Sequence, residues 1–239
     1  MRRPLQPQEQ TMTDADNAPR NVYGRYCVPE GLEQRPAARA VLSGEVYEPD
    51  TLDYMRSHAG AGDIIHAGTF FGDFLPALSS ALAPGALLWA FEANPASHGA
   101  AVRTAELNDL GNLRLRHAAL SSGSGTLLFR TRDRHGKPLG GCSQVVSRDG
   151  PGVEKVTAVA LDDAVPADRR ISILQLDLEG HEKPALLGAR RILREHRPVL
   201  ILERVRRAFW LRRQFAGLGY RRVGRVHNNF IFEARPQAS

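Results

Sequence analysis

Short apolar runs alternate with amphipathic stretches through most of this chain. Residues 63–67, 86–91 and 113–118 read as strands, and residues 73–82 and 95–107 as helices. The run Ile171-Ser-Ile-Leu-Gln-Leu176 suits a strand buried on both faces, with Asp177-Leu-Glu-Gly-His-Glu182 at its C-terminal end. A helix over 181–196 follows, with Pro184 in its first turn and Leu186, Ala189, Ile192 and Leu193 on one face. Residues 198–202 form another buried strand ending at Glu203, and 206–218 a helix. Residues 220–226 and 230–234 pair as a hairpin through His227-Asn-Asn229. Strands alternating with helices predict an α/β fold, a parallel sheet with helices on both faces.

Two regions depart from that rhythm. Residues 1–20 are polar and read as a disordered arm. Residues 21–58 are too apolar for a free tail and are expected to lie across the domain as a cap. A helix runs there from Glu48-Pro49-Asp50 to about His58, and residues 59–239 make the main domain. Between 120 and 160, strands at 126–130 and 155–159 flank a loop, 131–152, rich in Gly, Ser and Arg. A loop of that length in a compact domain is functional or disordered.

Composition narrows the setting. No apolar run nears the roughly 18 residues of a membrane span, because Pro84 and Gly85 interrupt the best candidate. The first residues lack the apolar core of a secretory signal. Cys27 and Cys142 are the only cysteines, too few for a disulfide framework or a zinc cage, so a reducing cytoplasm is expected. The net charge is +6, and the only lysines are Lys137, Lys155 and Lys183. That arginine excess reads as codon bias or as the mark of an anionic acceptor or carrier. Aromatic residues are not interleaved with the basic ones along the chain, which counts against nucleic acid as the partner.

Candidate chemistry gathers at the C-terminal ends of the strands, where open α/β sheets bind ligands. Gly68 and Gly72, in His66-Ala-Gly-Thr-Phe-Phe-Gly72, mark a strand–loop–helix turn whose backbone can approach a ligand. Phe70 and Phe71 fill the middle, so the loop suits a nucleoside better than a pyrophosphate. The third glycine of a dinucleotide fingerprint is missing. Glu92 ends the second strand, where a carboxylate can take both hydroxyls of a ribose. Asn94-Pro95 starts the next helix, and Asn94 reads as its cap or as a ligand contact.

Five segments, His66–Gly72, Phe91-Glu-Ala-Asn-Pro95, Leu161-Asp-Asp163, Leu176-Asp-Leu-Glu-Gly-His-Glu182 and Arg197-Pro-Val-Leu-Ile-Leu-Glu203, stand in the order of a known family. Through them the chain resembles the FkbM-type S-adenosylmethionine-dependent methyltransferases over roughly residues 60–205. The resemblance implies a Rossmann-like class I methyltransferase fold: a mostly parallel seven-stranded sheet with an antiparallel terminal strand. It implies S-adenosylmethionine as cofactor, S-adenosylhomocysteine as product, and methyl transfer to a hydroxyl of a sugar, glycolipid or natural-product acceptor. His66, Gly68, Phe70, Gly72, Asp73, Glu92, Asn94, Ala119 and Asp177 become the expected cofactor residues. His66 stands where many methyltransferases have an acid, so Asp73 or Asp177 is the alternative partner of the methionine amino group.

An attacking hydroxyl needs a base. Asp177 and Glu179 are two apart, and His181 continues the spacing if the backbone stays extended. His181 is favoured because an imidazole takes up a proton near neutral pH. Tyr23, Tyr26, Tyr47 and Glu48 of the cap, with Ser143 of the long loop, are the expected acceptor wall. A magnesium reading uses Asp162, Asp163, Asp177, Glu179 and His181, but the metal-free mechanism is preferred. Methylation of RNA or protein is the alternative function. A nicotinamide oxidoreductase and a non-catalytic binder fit less well.

Overall fold

The computed structural model describes residues 17–205 and 207–235; residues 1–16 of the expected arm lie outside them. The cap segment begins with a two-strand ribbon, β1 (Arg20–Asn21) and β2 (Gly24–Arg25), then α1 (Pro36–Leu42) and α2 (Pro49–His58). The alternating unit follows as β3 (Asp63–Ala67), α3 (Leu75–Ser79), β4 (Leu88–Glu92), α4 (Pro95–Leu107) and β5 (Leu113–His117). After it come β6 (Ala119–Leu120), β7 (Gly125–Arg130), β8 (Gln144–Val146), β9 (Val153–Val159) and the short α5 (Leu161–Ala164). The chain closes with β10 (Ile171–Leu176), α6 (Glu182–Leu187), α7 (Arg190–His196), β11 (Val199–Leu202), α8 (Ala208–Gln214), β12 (Arg221–Val226) and β13 (Asn229–Glu233).

Seven strands form the main sheet in the order β12-β13-β11-β10-β3-β4-β5. β13 runs antiparallel to both its neighbours, and the remaining pairings are parallel. The final strand therefore enters between β11 and β12 and completes the hairpin read from the sequence. Every residue of β3 and β4 is buried, as expected for central parallel strands covered on both faces.

Strand alternation sorts the core into two layers. Leu174, Leu176, Leu200 and Leu202 pack with Leu186, Leu193 and Leu211 of α6, α7 and α8. Ile64, Ile173 and Ile201 point the other way, onto Leu52 and Met55 of α2 and Leu75 and Leu78 of α3. That second face matters most for function. Two residues after each isoleucine the same face carries His66, Gln175 and Glu203, and Asp177 lies two further along β10's line. At the opposite end of the sheet, buried Asp63 accepts from Leu87 N and Trp89 Nε1, each at 2.8 Å, and pairs with Arg169. This pins the N-terminal ends of β3 and β4 and takes no part in the site.

The structure revises two sequence readings. The loop expected over 131–152 contains β8 and a 3₁₀ turn, Gly140–Cys142, and a second sheet of order β6-β9-β7-β8 stands there. The helix expected over 181–196 is two helices. Gly188 lies against the Ser121 carbonyl, which a Cβ there would meet at 2.0 Å. Asp162 then caps α7, accepting from Arg191 N at 2.7 Å and Ile192 N at 3.1 Å.

Candidate active site

A cavity of about 190 Å³ opens at the C-terminal edge of the sheet, on the α2/α3 side. His66, Gly68, Phe70 and Asp73 line it from β3 and its loop, and Gln175, Asp177 and Glu179 from β10 and its loop. Glu203 follows β11, Tyr47 and Glu48 enter from the cap, and Asn228 enters from the β12–β13 turn. A slot of about 40 Å³ adjoins it, walled by Glu92, Ala119, Phe129, Ser143, Val145 and His181. Gly68 and Asp177 line both compartments, so they mark the junction.

The glycine loop is built by close approach and by the carboxylate above it. Gly68 has φ +83°, and a Cβ there would stand 1.9 Å from the Asp177 carbonyl oxygen. The glycine is thus required by the neighbouring strand end, beyond any need of a ligand. Phe70 takes a left-handed φ of +52°, and its N–H donates to Glu92 Oε2 at 2.7 Å. Asn94 N donates to Glu92 Oε1, also at 2.7 Å. Each Glu92 oxygen keeps a lone pair for a further donor. Burial pushes the Glu92 carboxyl up to about 7 against those backbone donors.

His66 is buried, stacked on Phe74, and its Nδ1 lies 2.5 Å from Gln175 Oε1. An amide oxygen accepts, so Nδ1 carries the proton and Nε2 is an acceptor, buried without a partner among the described residues. Burial lowers the His66 pKa to about 4, so the ring is neutral at physiological pH. Asp73 is raised to about 7, first by burial.

One oxygen from each of Asp177, Glu179 and Glu203 lies within 4.8 Å of the others. Burial and then the neighbouring Glu203 carboxylate raise Asp177 well above the usual carboxylate range. Arg204 pairs with both Glu179 and Glu203, the latter at 3.0 Å.

Several expected site residues stand elsewhere. Glu179 and His181 do not continue one extended line, because β10 ends at Leu176, Glu179 turns left-handed at φ +50° and Gly180 at φ +102°. Glu179 faces the main cavity, whereas His181 faces the slot with Nε2 3.3 Å from Ser121 Oγ. Glu182 accepts from Leu178 N and Gly180 N and fixes that turn. Tyr26 is fully buried against Phe71, and Tyr23 stacks under Arg56; neither lines the cavity. Asn94 caps α4 through Ala96 N and Ser97 N, and Gly72 shapes the turn beside Leu75. Ser143 lies on the slot side, accepting from Asn94 Nδ2 at 2.9 Å. Of the proposed magnesium ligands, Asp162 is engaged at α7 and Asp163 with Ser124. Arg35, Gln175, Glu203 and Asn228 were not singled out from the sequence; for Glu203, its place at the end of a buried strand was the available signal.

A glycine loop under a strand-end carboxylate, at this edge of such a sheet, is an arrangement that lets an α/β enzyme hold a nucleoside cofactor. The methyltransferase FkbM domain matches residues 58–221, and the chain belongs to that family of S-adenosylmethionine-dependent methyltransferases. No curated protein is significantly similar to it. Among solved structures it is similar to an FkbM methyltransferase from Methylobacillus flagellatus KT, with 16% identity over 73% of this chain and a TM-score of 0.49. The match spans only 44% of that protein. A methyltransferase from Geobacter sulfurreducens shares 14% identity over 86% of this chain and 87% of its own, TM-score 0.47. The O-methyltransferase TomG of tomaymycin synthesis from Streptomyces achromogenes, solved with S-adenosylmethionine, shares 17% over 80% and 72%, TM-score 0.40.

Proposed function

We propose that this chain methylates a hydroxyl of a sugar, glycolipid or natural-product acceptor, with Asp177 as the base. The observation that carries the reading is the position of Asp177 at the junction of slot and cavity, beside Glu203. The site's own unfilled valences fit the cofactor. Glu92 retains a lone pair on each oxygen for a ribose diol, and Nε2 of neutral His66 is an acceptor for an ammonium. Phe91, Ala93, Ala119 and Leu120 give the slot apolar walls for a purine. Phe129, Ser143 and Val145 form the wall of the slot facing these residues.

When bound, S-adenosylmethionine supplies an electrophilic methyl on a positive sulfur. The protein is left with two tasks: aligning the hydroxyl and removing its proton. Asp177 stands where the two compartments meet, and its ionised form serves as the base. Glu179, held by Arg204, and Tyr47 and Glu48 line the acceptor side. The three clustered carboxylates would also suit a hard cation. Arg204 already pairs with two of them, Glu179 and Glu203, which favours the metal-free mechanism; rates unchanged by EDTA are expected.

The test is transfer from labelled S-adenosylmethionine to a panel of deoxysugars, glycolipids and nucleotide sugars, with RNA and protein as comparison acceptors. Asp177→Asn should lower kcat at least about 100-fold and leave S-adenosylhomocysteine affinity within a few-fold. Normal turnover by Asp177→Asn, or labelling of RNA or protein alone, overturns the proposal.

A further inference from the structure

The charge of this chain is lopsided. From Arg204 to Phe232 there are eight arginines and no acidic residue. The whole chain has 32 basic and 26 acidic residues, so outside this stretch 24 face 26 and the balance is −2. The stretch also holds an aromatic pair, Phe209 and Trp210, on α8. Leu211 and Phe215 turn that helix's apolar side into the core. Phe209, Arg212 and Arg213, spaced i, i+3 and i+4, share the opposite side. Phe209 is 67% exposed. Trp210 is half-buried under the Lys183 ammonium, 5.6 Å from its ring. Arg222 and Arg225 of β12 lie over Phe230, which belongs to the same core layer as Leu211. They therefore extend the basic surface on the α8 side of the sheet.

Arginines on an edge strand have a sufficient reason in blocking edge-to-edge pairing. Phe209 is a large apolar ring, 67% exposed, on the same side of α8 as Arg212 and Arg213. We propose that this face docks on an anionic lipid surface, Phe209 entering the acyl boundary while the arginines meet the headgroups. Both ends of the belt border the main cavity. Arg204 pairs with Glu203 and Glu179 at one end, and Asn228 lines the cavity at the other. Docking on the α8 side thus brings the C-terminal edge of the sheet near the surface and leaves the cavity mouth, on the α2/α3 side, open. The acidic cavity and the basic belt also set the orientation, since an anionic surface repels the first and attracts the second. Docking does not depend on which acceptor is methylated.

The experiment is co-sedimentation of the full chain with vesicles of phosphatidylcholine alone or mixed with phosphatidylglycerol, at low and high salt. Binding is expected only to the mixed vesicles, with release by salt. Phe209→Ser should weaken partitioning about tenfold, and the pair Arg212→Gln with Arg213→Gln about thirtyfold. Both variants should keep wild-type affinity for S-adenosylhomocysteine, which shows that they fold. No sedimentation, equal sedimentation with both vesicles, or variants that bind as wild type would each overturn the proposal. So would Phe209-dependent self-association, or polyuridylate binding tighter than the vesicles, since the belt would then serve a second copy or RNA.

Discussion

Glu92→Gln separates the electrostatic cost of the proposed cofactor carboxylate from its hydrogen bonds. Glu92 is 7% exposed, and its carboxyl is raised from 4.5 to about 7 by burial. Below pH 4.5 folded and unfolded chains both hold the proton, and stability is at its full value. Between 4.5 and about 7 the unfolded chain has released a proton that the folded chain keeps, so stability falls as pH rises. Above that range the loss is complete, and the gap corresponds to about 3 kcal/mol. Glutamine cannot ionise, so this part of the pH dependence should vanish. At acid pH the variant should be the less stable by about 1–3 kcal/mol, because its amide nitrogen faces the N–H of Phe70 or Asn94. Towards alkaline pH the two curves should converge or cross. Urea unfolding of wild type and variant between about pH 4 and 8 gives the difference, in which Asp177 cancels and Asp73, raised in part by the Glu92 charge, moves down in the variant. Parallel curves would refute the reasoning. The same ionisation predicts that wild type binds S-adenosylhomocysteine about tenfold more weakly at pH 6 than at pH 8, because ribose hydroxyls donate to a carboxylate. The glutamine variant should lose the Glu92 part of this pH dependence in calorimetric titration.

Other consequences are simpler to read. Asp162→Ala leaves Arg191 N and Ile192 N without their acceptor, and should cost about 1–2 kcal/mol, seen as a lower Tm with cofactor affinity retained. Gly68→Ala forces a Cβ against the Asp177 carbonyl at a left-handed φ, so soluble yield or S-adenosylhomocysteine binding should collapse; normal behaviour would mean that the loop can move. His181→Ala should perturb binding of the nucleoside part more than turnover, because the ring faces the slot; a kcat loss matching that of Asp177→Asn would reverse the two roles.

The elements legible in the sequence are those whose burial is dictated locally. Residues 63–67, 95–107 and 171–176 carry their boundaries in plain sight, through Gly62, the Asn94-Pro95 cap and the polar stop at Asp177. The parallel order and the closing hairpin follow from alternation and from a short turn. Glu92 was readable because a strand end fixes where its residue goes. Two strands of the second sheet, β7 and β9, were legible, but β6 and β8 are only two and three residues long and the pairing of the four is long-range, so the sheet itself was not. The break at Gly188 depends on contact with Ser121, far away in sequence. The separation of Glu179 from His181 rests on two left-handed residues, one of them not glycine, which no side-chain pattern announces. Tyr23 and Tyr26 show the same limit: an aromatic in a cap can face the core as readily as a ligand.

The short segment from Gly141 to Val145 walls both compartments: Gly141 and Cys142 face the main cavity, Ser143 and Val145 the slot. A single strip of backbone is therefore a shared partition. Any occupant that displaces it from one room redraws the other, and thermodynamic reciprocity then requires each occupant to change its neighbour's affinity by the same factor.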